Sequence, residues 1–174
     1  MAAKAMCLGL LLWGGMTAQW ARADECRLIV SQGRVDYGAI RNERRDERGA
    51  VAMGTRTVHL NILCPQPSTM ALRFNGTASD SEGFRFGREG RFRLSLRHAR
   101  LDGQPVEWAD MGEPAAGQLL PGRTLVAQGA GRQLAAQVEI DADLPVDALR
   151  VRSHTVLEGQ GHFELVSPPV PRSQ

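Results

Sequence analysis

Arg56–Cys64 reads R-T-V-H-L-N-I-L-C, and this stretch decides the fold class. Val58, Leu60, Ile62 and Cys64 fall on one phase of a period of two. Thr57, His59 and Asn61 fall on the other. Side chains of an extended chain alternate between faces, so the pattern predicts a strand with one buried and one wet face. Pro65 and Pro67 follow and are expected to end it, because proline cannot donate to a ladder.

The same period recurs on both sides. Met70, Leu72 and Phe74 alternate with Ala71 and Arg73, and Asn75-Gly76 supplies a turn signal. Phe92, Leu94, Leu96 and His98 alternate with Arg91, Arg93, Ser95 and Arg97, which places His98 on the apolar phase. Leu101-Asp102-Gly103-Gln104 reads as a hairpin turn into Pro105–Trp108. Leu134, Ala136, Val138 and Ile140 make another apolar face. Leu149 and Val151 suggest a short strand, and Gly161–Val166 the last one. No stretch sustains a helical period, although Asp141–Ala148 has room for one turn. Asp110–Gly131 is rich in Gly, Ala and Pro and reads as a long irregular connection.

Many short strands separated by turn signals predict an all-β chain folded as a β-sandwich. Leu28, Val30, Val58, Leu60, Ile62, Leu72, Phe74, Phe92, Leu94, Val138 and Ile140 are its expected core.

The amino-terminal residues bear on the compartment. Lys4, the apolar run Met6–Trp13 and the small-residue site Ala21-Arg22-Ala23 make the three parts of a secretory signal peptide. The run is shorter than the ~20 residues a membrane helix needs. Residues 1–23 are therefore expected to be removed, leaving a β-sandwich domain over 24–166 and a proline-containing tail over 167–174. Cys7 leaves with the leader. Cys26 and Cys64 remain, and an even pair in an exported chain reads as a disulfide. A metal pair is the poorer reading, since no C-x-x-C or histidine pair supports it.

Composition narrows the function. The formal net charge is +2 and aromatics are 5% of the chain, too little for a basic or stacking nucleic-acid surface. His59, His98, His154 and His162 show no metal-ligand spacing, and no nucleophile elbow or phosphate-binding glycine loop is present. No catalytic residue, metal or cofactor is expected. Arg91, Arg93 and Arg97 form a stripe that could meet an anionic surface. Its plainer reading is a solvated strand face balanced by acids. Arg41–Arg48 mixes both signs and reads as a loop.

Cys26–Ile40 runs C-R-L-I-V-S-Q-G-R-V-D-Y-G-A-I. Together with the strand ending at Cys64, Met70–Phe74 and Phe84–Gly87, it resembles the start of chaperone–usher fimbrial subunits. Within that class it looks most like the β-fimbria-type subunits of the domain-of-unknown-function kind. The resemblance runs from Cys26 to Val106, and strand pattern alone continues it. It implies an immunoglobulin-like sandwich lacking its final strand. A hydrophobic groove would then accept a strand from a periplasmic chaperone or from a neighbouring subunit. Leu28, Val30, Gly161, Phe163 and Leu165 would flank that groove. The implied partners are the chaperone, an outer-membrane usher and neighbouring subunits, with a glycan or surface receptor as ligand. The implied destination is a cell-surface fimbrium reached through the periplasm.

Two features depart from the family pattern. Only Asp24 and Glu25 would precede Cys26 after cleavage, which suits an acceptor at the fibre tip with no strand to donate. Ser173 stands where many such subunits carry a penultimate aromatic residue. The rival from another class is a self-complete secreted or periplasmic sandwich that binds a glycan or small ligand. A carbohydrate-active enzyme would need paired carboxylates, for which Asp36, Asp80, Glu82 and Asp102 are the residues to screen.

Overall fold

The structure is a computed structural model and describes residues 26–38, 50–149 and 156–166. The expected leader, Arg41–Arg48, Val151, His154 and the tail from 167 lie outside the described residues.

Among the described residues ten strands follow one another: β1 (Arg27–Val30), β2 (Ala50–Gly76), β3 (Phe84–Phe86), β4 (Gly90–Leu101), β5 (Gln104–Pro105), β6 (Trp108–Asp110), β7 (Glu113–Ala115), β8 (Gln118–Leu119), β9 (Leu125–Pro145) and β10 (Gly161–Val166). All pair antiparallel. The central order is β1-β2-β9-β4-β3, and β10 joins the second half of β2. The protein is all-β and sandwich-like, as its period-two pattern predicts.

Two long strands do most of the building. β2 and β9 pair from Ala50↔Pro145 to Leu72↔Leu125, with register shifts between Leu63 and Ser68 and between Thr69 and Ala71. Such breaks in register bend a strand and sharpen its twist, which suits the curling of this single sheet. Pro65 and Pro67 sit within the first break, where β9 offers no partner. They do not end the strand as expected from sequence. Their missing N–H groups cost nothing at a point where no ladder bond is made.

The inner phases of β2, β4 and β9 meet in one core. Leu60, Ile62, Leu72, Phe84, Leu134, Val138 and Leu144 are fully enclosed there. Burying each such side chain contributes about 1.5–3 kcal/mol before entropy is counted. Of the expected core, Leu28, Val30 and Ile140 are only partly buried and pack against its edge. The Cys26–Cys64 disulfide is formed and ties β1 to β2 one step beyond the Arg27↔Leu63 pair.

Three further expectations are corrected. His98 is exposed, with φ 51°, because a bulge between Arg97 and Arg100 flips the phase and buries Ala99 instead. Asp110–Gly131 is not an irregular connection: it holds β7, β8 and the first part of β9. The helical turn near Asp141–Ala148 is a 3-10 turn at Val146–Leu149, so Leu149 belongs to that turn and not to a strand. Asp102 and Gly103 both have positive φ, as a two-residue hairpin turn requires.

Candidate functional site

β2 has one flank taken by β9 along most of its length. Its other flank carries β1 opposite Leu60–Leu63 and β10 opposite Ala71–Gly76. Among the described residues, β1 and β10 pair with nothing else. Each therefore presents a row of backbone donors and acceptors on its outer edge.

Between these two edges opens a groove of about 1100 Å³. Its floor is apolar and comes from several strands: Val58 and Phe74 of β2, Phe86 of β3, Phe92 and Leu94 of β4, and Ile140 of β9. One wall is Val30 and the chain that leaves β1, through Val35 and Tyr37. The other is Val156–Gln160 and the start of β10. The Gly87 N–H donates to Glu158 O at 2.9 Å, which holds that second wall against β3.

Aromatic rings set the shape of the β10 side. Phe74 meets Phe84, Phe163 and Phe92 edge-on, with centroids 4.8, 5.0 and 6.0 Å apart. Phe84 and Phe92 stack at 5.5 Å. The glycines here are spacers. A Cβ at Gly159 would lie 2.6 Å from Phe92 Cε1, and one at Gly161 would overlap the Phe74 ring.

Tyr37 anchors the β1 side. Its hydroxyl donates to Ile140 O at 2.8 Å, its ring meets Phe86 edge-on, and the Arg56 guanidinium lies 5.2 Å from its centroid. Burial pushes the phenol up to about 12, with Arg56 opposing and Asp141 adding to the shift. The D-Y-G turn is closed by Asp36 Oδ1, which accepts the Gly38 N–H at 2.7 Å. The turn thus sends a side chain across the groove's end.

Of the residues named from sequence, Val30, Gly161 and Phe163 line the groove. Leu28 and Leu165 stand on the same two strands, packed against the core edge and not in the lining. Sequence reasoning missed Tyr37 and Phe86 as lining residues. The only tyrosine of the chain, beside a glycine turn, was the available signal for the first.

The arginine stripe is neutralised locally. Arg91 bonds Asp80 at 2.8 Å and Asp143 at 3.4 Å, Arg93 approaches Asp143 at 3.6 Å, and Arg97 reaches Glu139 at 3.1 Å. Of the carboxylates singled out for hydrolysis, Asp36, Asp80 and Asp102 have structural partners. Asp80 accepts the Glu82 and Gly83 N–H groups. Asp102 accepts those of Arg132 and Gln133. The Glu82 backbone bond, with Arg91 in support, holds the Asp80 carboxyl below its usual range. Among the described residues no cluster of three metal-ligating side chains forms, and no helix is long and apolar enough to cross a membrane.

Residues 16–92 match the model of a family described as a protein of unknown function (DUF1120). That span takes in β1, the cysteine pair, β2, β3 and the start of β4. No curated protein matches the chain.

Proposed function

We propose that the chain is a non-enzymatic subunit of a chaperone–usher fimbria whose immunoglobulin-like domain accepts a β-strand from another protein. The observation that carries this reading is the pair of edges, β1 and β10, each paired on one side only among the described residues, on either side of a groove with an apolar floor and polar residues along its walls. A strand laid there would satisfy backbone groups along β10 and point alternate side chains at Val58, Phe74, Phe92 and Leu94. Strand addition works through that division between backbone affinity and side-chain specificity.

An apolar groove floor between open edges is an aggregation hazard unless something covers it. A periplasmic chaperone that lends a strand, followed by exchange for a neighbouring subunit at the usher, meets that need. The disulfide fits an oxidising compartment on the way to the cell surface.

The test is periplasmic expression with and without a co-expressed chaperone of the chaperone–usher class, followed by co-purification. A soluble one-to-one complex with the chaperone, and loss or aggregation without it, is the expected result. A stable folded monomer without it would favour the self-complete sandwich.

A further inference from the structure

A second concavity lies on the outer, wet face of the sheet. It is about 320 Å³ and stands over β9 between β2 and β4. Its cause is visible in the ladder. Ala135 faces outward from β9, opposite Asn61 of β2 and Arg100 of β4. The longer side chains around it leave a dip over its methyl group. His59 and Asn61 rim one side, His98 and Arg100 the other, and Gln137 closes one end.

The bulge creates half of this rim. With unbroken alternation, His98 would point into the core. The residue instead takes φ 51° and lies exposed on the rim. Histidine enters the left-handed region more readily than most residues, yet still at a cost. Bulges often re-aim a side chain beside a binding site.

The rim chemistry is selective. Two imidazoles and two amides can each donate and accept, which suits vicinal hydroxyl groups. Arg100 spends Nη1 on Gly103 O at 2.9 Å and keeps further donors for a planar anion. No carboxylate lines the dip. Glu139, two residues along β9, is held by Arg97, and Asp102 is occupied by backbone N–H groups.

We infer that the dip over Ala135 is a binding site for a carboxylate-bearing sugar. Arg100 takes the carboxylate, and His59, Asn61, His98 and Gln137 take the hydroxyls. This inference does not depend on strand acceptance, because the groove lies on other residues.

The test is a titration of the exported protein, with its strand partner if one co-purifies, followed by amide and imidazole NMR. The probes are glucuronic acid, glucose and acetate. Glucuronic acid should shift His59, Asn61, His98 and Ala135 together. Glucose and acetate should each bind about tenfold more weakly, the loss of one charged or one hydroxyl contact set. Arg100→Gln should weaken glucuronic acid to the level of glucose. Ala135→Leu, which fills the dip from an outward position, should abolish the shifts while the circular dichroism spectrum stays unchanged. Equal binding of glucuronic acid and glucose overturns the acidic-sugar assignment, and equal binding of acetate reduces it to a bare carboxylate site. Shifts that survive both substitutions, or no shift at about 10 mM ligand, overturn the site itself.

Discussion

Gly161 of β10 lies so close to the ring of Phe74 that an added Cβ would overlap it, while also standing 2.6 Å from Asn75 O. Phe74 cannot retreat, since Phe84, Phe92 and Phe163 surround it. Gly161→Ala should therefore push β10 off β2 or displace the ring. Overpacking of this kind costs about 1–3 kcal/mol. The urea midpoint should fall with little change in slope, and strand acceptance should weaken along with it.

The Cys26–Cys64 bond closes a loop with a sequence separation of 38. Constraining such a loop in the unfolded chain stabilises the fold by about 4 kcal/mol in the entropy model. It also pins β1, whose four residues pair, among the described residues, with β2 alone. Cys26→Ala with Cys64→Ala should lower stability by that order and loosen β1 first. Limited proteolysis near Arg27 reads the local effect, and denaturant unfolding the global one.

Tyr37 is the chain's single tyrosine, so absorbance at 295 nm follows one phenol. In the folded protein it should titrate near 12, and in urea near 10. Between those values the unfolded state has lost a proton that the folded state keeps. Stability from this group is thus fully present below pH 10 and is lost as pH rises toward 12. Tyr37→Phe should remove that alkaline slope. It should also cost about 1 kcal/mol for the lost bond to Ile140 O.

Asp80 behaves in the opposite sense. Its carboxyl is held below the usual range, chiefly by the Glu82 N–H and with help from Arg91. Its contribution is present above the unfolded value of 3.8 and is lost as pH falls through the lower folded value. Asp80→Asn should flatten the acid limb of the stability curve. The side chain is well exposed, so the cost at neutral pH should stay near 1 kcal/mol or less. Acid denaturation of the two proteins side by side checks this.

Much of the fold was legible because period two survives wherever one face is buried. Val58 to Ile62, Phe92 to Leu96 and Leu134 to Val138 all read correctly for that reason. The failures lie where tertiary pairing overrides local signals. Pro65 and Pro67 look like terminators, yet sit in a gap of the ladder that only the β9 register creates. His98 follows the apolar phase until a bulge that no composition announces. β7 and β8 are two or three residues long and exist because β6 and β4 are there to pair with them. Leu28–Val30 and Gly161–Leu165 were legible as strands, and of the residues named on them Val30, Gly161 and Phe163 line the groove. Its floor was not legible, since Phe86, Phe92 and Ile140 come from three other strands.

The most direct test of strand acceptance is amide hydrogen exchange on β1 and β10, measured by short pulses on the dilute chain freshly stripped of a co-expressed periplasmic chaperone, before it aggregates, and on the complex with that chaperone. The groove account predicts rapid exchange, in the chain alone, at the alternate amides of Arg27–Val30 and Gly161–Val166 that point away from β2, slowed at least about a hundredfold once a strand is bound. Exchange at those amides as slow as at Val138 in the chain alone, unchanged by the chaperone, would contradict it.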